Sequence, residues 1–473
     1  MATGLSPSEP ETEKLLLIAD DLSGALDSAV QFAALGLCTA VLRGGRLGGG
    51  PSGGGPRDGN PPTELWGHAD VLALDTASRH LSPADASARL RDLTAPHTAI
   101  PGLLVYKKTD STLRGNIAAE FAALLGMFPG RRILFVPAYP AMGRTTRGGL
   151  QYLDGTVVHE TAFGRDALNP VTTSSVRELL ARGGLDSVRN LAVEEIAAAL
   201  ESAQEQVLVV DAESDADIEA VVRALDDFRG EWPMLAGCAG FAAGLARGWA
   251  APASAAADRD TGAAVVAAAP THAAIHDTGA AVPATTAAPV TADRSLQRPF
   301  LVVNGSLNGV SLAQVGRAMR GGFPAVILGP RDLVRPDGGD GSLDALAAAL
   351  VAERGPEGPL VLGTAVDEGG MSPTVAHAQV AAAIGLVVAK ILTLRDFGTL
   401  VVFGGDTAGG ILDALGNPLL FPVAELEPGV VLSLIGDRDR PTLVTKAGGF
   451  GREDFLLELL EANGSTDTRI GAE

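Results

Sequence analysis

Short, uninterrupted apolar runs alternating with stretches of helical periodicity constrain this chain more than any other feature. In the first half these runs are "KLLLIA", "VLALD", "GLLVYKK", "RRILFVPA" and "QVLVVDA". In the second half they are "PFLVVNGS", "AVILG", "PLVLGT", "GTLVVFGG" and "PTLVTK". They are rich in Val, Ile and Leu and show no polar alternation, which suits strands covered by helices on both faces. Between them lie segments such as "SGALDSAVQFAALG", "SPADASARLRDL", "NIAAEFAALLGMF" and "REDFLLELLEA", whose apolar residues recur at helical spacing. The rhythm is that of βαβ units, so the expected class is α/β with largely parallel sheets.

A length of 473 residues exceeds what one core usually supports, and two α/β domains are expected. The boundary falls at residues 251–297, where Ala, Thr and Pro replace any periodicity and a linker or insertion is expected. It separates an N-terminal domain, 1–250, from a C-terminal domain, 298–473. A second Gly- and Pro-rich piece, 43–62, reads as a surface loop within the first domain, and "GCAGFAAGLA" at 237–246 as close helix packing. Aromatic residues make up only 4% of the chain, and its 59 glycines favour small-residue packing of helices on sheets. The net charge of -20 argues against nucleic acid and anionic membranes as partners, since both are bound through clustered Lys and Arg. The two cysteines, Cys38 and Cys238, have no partner at metal or redox spacing. Together with the lack of a signal peptide or membrane-span pattern, this predicts a reduced, cytoplasmic setting.

In open parallel sheets ligands gather at the carboxyl ends of strands. The first strand ends in Asp20 and Asp21 ahead of a helix, so one carboxylate can cap that helix and the other accept sugar hydroxyls or act as a base. The segment "YKKTDSTLRGN" places Lys107, Lys108, Thr109, Asp110, Ser111 and Arg114 in one strand-to-helix connection. Lys and Arg there suit a carboxylate while Asp accepts from hydroxyls, and Arg79 can join them from another strand end. "PAYPAMGRTTRGGLQYLDG" at 137–155 lacks periodicity and reads as a shaped binding loop.

Three glycine turns at strand ends lie in the second half: "NGSLNG" with Ser306, "GGDT" with Gly404, Gly405, Asp406 and Thr407, and "KAGGFG" with Lys446, Gly448, Gly449 and Gly451. Glycine lets the backbone approach a phosphate, and a helix N-terminus offers its free N–H groups to the charge. None is a Walker loop or a GxGxxG fingerprint. The seven histidines are scattered, and no residue set has metal-ligand spacing.

The chain resembles the four-carbon acid sugar kinases (DUF1537) through "IADDLSGALD", "KKTDSTLRGNIAAE", "PAYPAMGRTTRGGLQYLDG", "HETAFGRDALNPVT", "GCAGFAAGLA", "VVFGGDTAGGILDALG" and "VTKAGGFGREDF". The resemblance implies an acid-sugar-binding domain followed by a nucleotide-binding domain. Together these would use ATP with Mg²⁺ to phosphorylate the C4 hydroxyl of 3-oxo-tetronate, threonate or erythronate, in a cleft between the domains. It also implies substrate contacts from Asp20 or Asp21, Arg79 and the 107–111 segment, and nucleotide contacts from Ser306 and the 404–407 and 446–451 turns. The base is expected to be Asp406 or Asp21. A homodimer is compatible with this reading. Two alternatives are a sugar-acid sensor without catalysis, suggested by the hydroxyl-poor "NGSLNG" turn, and an NAD-dependent dehydrogenase, whose fingerprint the first turn "ADDLSGA" lacks.

Overall fold

The computed structural model describes residues 14–44, 62–166, 168–257, 296–329, 333, 340–352, 358–364, 373–436 and 440–461. Most of the glycine-rich loop and of the 251–297 segment lies outside the described residues. Residues 251–257 differ from the expected linker, because they continue the helix Ala239–Ala257. The Ala-rich composition that reads as low complexity also has the highest helix propensity.

The first half contributes β1 (Leu15–Ala19), β2 (Thr39–Arg43), β3 (Val71–Asp75), β4 (Leu104–Lys108) and β5 (Ile133–Val136). It continues with β6 (Arg144–Arg147), β7 (Leu150–Leu153), β8 (Thr156–Val157), β9 (Val188–Leu191), β10 (Val207–Val210) and β11 (Met234–Gly237). The second half adds β12 (Phe300–Asn304), β13 (Ala325–Leu328), β14 (Leu360–Thr364) and β15 (Thr399–Phe403). Its last strands are β16 (Leu420–Glu427), β17 (Val430–Ile435) and β18 (Thr442–Lys446).

Fifteen of these strands form one sheet in the order β13-β14-β12-β15-β18-β17-β16-β2-β3-β1-β4-β11-β5-β10-β9. The parallel runs of the two halves are joined by the antiparallel strands β17 and β16, and β16 meets β2 through the single register pair Leu420↔Val41. Successive residues of β1 feed opposite cores. Leu15, Leu17 and Ala19 pack on one face, Leu16 and Ile18 on the other. The first of these cores also contains Leu301, Val303, Leu400 and Val402, so one apolar layer continues from half to half. Burying a Leu, Val or Ile side chain contributes about 1.5–3 kcal/mol each, which makes this two-faced burial the main stabilising contribution.

The 137–155 segment is a correction to the sequence reading, because it contains the hairpin β6–β7, in a small sheet with β8. Gly148 and Gly149 form its two-residue turn with φ of 59° and 70°, the left-handed backbone that a tight hairpin requires.

Candidate functional site

In the first half the site is built from in-register strand ends. Ala19 pairs with Asp75 of β3 and Lys108 of β4, so the residues that follow these strands emerge side by side. Asp21 caps the helix Leu22–Ala33, its Oδ1 accepting from the Gly24 N–H at 3.0 Å. Asp20 is buried and takes Arg79 Nε on Oδ2 and Nη2 on Oδ1, each at 2.8 Å. The same guanidinium reaches Asp21, with Nη1 at 2.8 Å from Oδ2 and Nη2 at 3.0 Å from Oδ1. Burial pushes the Asp20 carboxyl up, but the Arg79 charge, with Lys107 behind it, outweighs burial and holds it below its ordinary value. Asp110 is gripped by Arg114 Nε and Nη2, both at 2.9 Å. Burial opposes the charged form there too, yet Arg114 and Arg79 hold the carboxyl well below the usual range.

Strand alternation sends the two adjacent lysines to opposite faces. Lys107 is buried and pairs with Glu120 Oε2 at 3.0 Å under the helix Ile117–Met127. Lys108 extends on the other face beside Gly24, with its Nζ 2.8 Å from where a Cβ on that glycine would lie. Among the described residues Lys108 makes no ion pair and Thr109 Oγ1 has no hydrogen-bond partner. Ser111 gives its carbonyl to Gln151 Nε2 at 2.9 Å.

In the second half the three glycine turns converge because their strands are neighbours. Asn304 of β12 pairs with Phe403 of β15, which pairs with Lys446 of β18. Gly404 has φ 104°, a backbone closed to most side chains, and its N–H donates to the Lys446 carbonyl at 3.0 Å. The helix Gly405–Ala414 that follows has no side-chain cap on its N-terminus. A Cβ on Gly448 would lie 2.6 Å from Ser306 Oγ, and Thr407 packs on the Gly305 backbone. These turns form a narrow backbone-lined cradle. Lys446 lies beneath it, donating to Ser311 Oγ and to the carbonyls of Ala447, Gly448 and Phe450 at 2.9–3.2 Å. Burial pushes the Lys446 ammonium down to about 8. Lys446 therefore holds the turn from below, while Gly451 packs beside its stem.

A cavity of about 450 Å³ is lined by Asp20, Asp21, Arg79 and His80 from the first half and by Gly405, Asp406 and Asp413 from the second. The walls touch at the turn, where a Cβ on Gly405 would lie 2.7 Å from Ser23 Oγ and 3.5 Å from Asp21 Oδ2. Asp406 Oδ2 is 3.4 Å from His80 Nε2 across the cleft. Arg43 adds a second bridge: it pairs with buried Asp75 and donates from Nε to Asp413 Oδ1 at 3.0 Å. His80, Arg43, Asp413 and Glu120 were not singled out from the sequence. Arg43 and His80 lie at or just past strand ends and Glu120 and Asp413 within helices, whereas the contacts that matter join distant segments.

Among the described residues no cluster of three or more His, Cys, Asp or Glu could hold a metal, and no helix is long and apolar enough to cross a membrane. Residues 15–245 match a sugar-binding N-terminal domain and residues 301–456 a nucleotide-binding C-terminal domain. A D-threonate kinase of Bordetella bronchiseptica is 32% identical over 94% of this chain and 96% of its own length. A 3-oxo-tetronate kinase of Cupriavidus necator is 27% identical over 94% and 96%. A solved Salmonella typhimurium structure, described as a putative tRNA synthase, shares the fold with a TM-score of 0.70 at 21% identity, covering 95% of this chain and 99% of its own. The two domain matches come in the expected order along the chain, and the chain belongs to the four-carbon acid sugar kinase family.

Proposed function

We propose that the protein transfers the terminal phosphoryl group of ATP to the C4 hydroxyl of a four-carbon acid sugar, with threonate the first substrate to test. The observation that carries this reading is the shared cleft. A carboxylate–guanidinium cluster suited to a polyhydroxy acid, Asp20, Asp21 and Arg79, lines one side, and the uncapped helix N-terminus at Gly405 and Asp406, which leads from the glycine cradle, lines the other. The names of the relatives, three D-threonate kinases among them, point the same way.

The cradle fits a nucleotide because its closest approaches are at glycines, where any Cβ would fill the space, and because the helix dipole favours phosphate charge there. Gly404, Gly405, Thr407, Ser306, Gly448 and Gly449 would hold the phosphates. ATP supplies the phosphoryl group, and Mg²⁺ carried on its phosphates supplies charge neutralisation. On the sugar wall, Lys108 is the cation we assign to the substrate carboxylate, because Lys107 is committed to Glu120 and Arg79 to the aspartates. Asp110 and Asp20 shape the hydroxyl pocket through Arg114 and Arg79. Both Asp21 oxygens already accept from Arg79, and one also caps a helix, which makes Asp21 a poor proton acceptor. Asp406 is half-exposed in the first helical turn on the cleft wall, and we assign it the proton of the attacking hydroxyl.

A kinase assay over threonate, erythronate and 3-oxo-tetronates tests the function. Thermal stabilisation by sugar acids without any turnover on ATP would favour the sensor reading instead. Asp406→Asn is expected to lower kcat by about 10²–10⁴-fold with sugar binding retained. Turnover within tenfold of the parent rules Asp406 out as the base.

A further inference from the structure

The contact between His80 and Asp406 is the inner end of a line of polar groups that starts deep in the sugar-binding half. Arg114 Nη1 lies 3.4 Å from Asp166 Oδ2. Asp166 Oδ1 accepts from the backbone N–H of Asn169 at 2.9 Å. The Asn169 side-chain nitrogen is 2.7 Å from His80 Nδ1, and His80 Nε2 is 3.4 Å from Asp406 Oδ2. An amide nitrogen can only donate, so Nδ1 accepts from it, and Nε2 is the ring nitrogen that carries a proton towards Asp406.

We propose that His80 is a positioning residue for phosphoryl transfer, and that Asn169 sets its tautomer. The proposal rests on the reading of Asp406 as the proton acceptor. Through its contact with Oδ2 the imidazole holds the carboxylate in one orientation on the cleft wall. In the step itself the C4 oxygen forms a bond to the terminal phosphorus as the bridging O–P bond of ATP breaks. The electron pair of that bond leaves with ADP, and the hydroxyl proton goes to Asp406. The distance of 3.4 Å exceeds a formed hydrogen bond, as is common for catalytic contacts before substrate arrives. Because His80 and Asn169 belong to the sugar-binding half and Asp406 to the nucleotide half, the contact aligns the base only when the two walls are in register.

The test compares His80→Ala, His80→Gln, Asn169→Ala and Asp406→Asn, singly and with His80→Ala placed in the Asp406→Asn background. Steady-state kinetics with threonate and ATP are read beside thermal shifts with threonate alone. His80→Ala is expected to lower kcat by about 10–100-fold, the scale of a misplaced catalytic group, with both KM values within about threefold. His80→Gln, whose amide can donate in place of Nε2, should recover most of that loss. Asn169→Ala should lower kcat in the same direction by a smaller factor. In the Asp406→Asn background, His80→Ala should have no further effect, because it acts through the missing carboxylate. An unchanged kcat in His80→Ala overturns the proposal, as does an equal loss in both backgrounds. Failure of the underlying base assignment shows separately, as an Asp406→Asn enzyme that still turns over within about tenfold of the parent.

Discussion

Lys107→Met separates an internal counter-ion from a substrate ligand. Lys107 Nζ lies 3.0 Å from Glu120 Oε2, both side chains are 1% exposed, and the ammonium also donates to the Lys108 carbonyl at 2.9 Å. Among the described residues Glu120 Oε1 keeps only Ser78 Oγ, at 2.5 Å. Removing the cation leaves a buried carboxylate without its compensating charge, which costs about 3–5 kcal/mol. At roughly 2–4 °C per kcal/mol, that is a fall of about 6–20 °C in melting temperature. Burial already pushes the Glu120 carboxyl above its ordinary value despite Lys107, and the variant must push it further. The loss should therefore be largest at high pH and shrink as pH falls through the folded-state pKa of Glu120, where the lone carboxyl takes up a proton. The double variant Lys107→Met/Glu120→Gln should regain most of the stability. Differential scanning fluorimetry across pH 5–9 gives the comparison. A variant that melts within about 2 °C of the parent while losing threonate affinity would refute the counter-ion assignment and return Lys107 to the substrate carboxylate.

Two further perturbations probe other parts of the molecule. Gly404→Ala forces a side chain onto a backbone with φ 104°, at a cost of about 1–3 kcal/mol, and should abolish the thermal shift with ATP–Mg²⁺ while preserving that with threonate. Equal loss of both shifts would place the damage in global folding rather than in the cradle. His97 accepts from Trp66 Nε1 at 3.0 Å, and burial pushes its imidazole from the ordinary 6.5 down to about 4. The unfolded chain therefore binds the extra proton between those values, and stability should fall by up to about 3 kcal/mol as pH drops from 6.5 towards 4. Urea unfolding of His97→Gln should lose that dependence, and an unchanged slope would assign it to other groups.

The alternation of strands and helices was legible because short, continuous Val, Ile and Leu runs fit strands covered by helices on both faces. Clusters at strand ends were legible for the same reason, since parallel strands deliver their carboxyl ends to one side. What chain order concealed was direction and distance. Lys107 and Lys108 read as equals, yet the pleat buries them on opposite faces, one against Glu120 and the other beside Gly24. Asp20 and Asp21 read as one cap and one sugar-hydroxyl acceptor, yet a single guanidinium binds both. β16 and β17 escaped notice because Pro422 and the "EPG" turn interrupt a run of mixed polarity. Arg43 and Asp413 are 370 residues apart, and nothing local to either signals that they meet.

The seam between β2 and β16 has a mechanical consequence. A sheet of fifteen strands would ordinarily behave as one stiff plate, but here its two halves share one backbone register pair, Leu420↔Val41. Bending stiffness along such a line comes from the apolar layer beneath it, which tolerates small rotations, rather than from a hydrogen-bond ladder, which does not. Lateral grip comes from Arg43, whose guanidinium sits against Gly409 and pairs with Asp413, and from Gln31, whose Nε2 donates to Glu425 Oε2 at 2.9 Å. Flexing about such a seam would widen or narrow the cavity between the halves while the hydrogen-bond ladders hold the strand ends on either side.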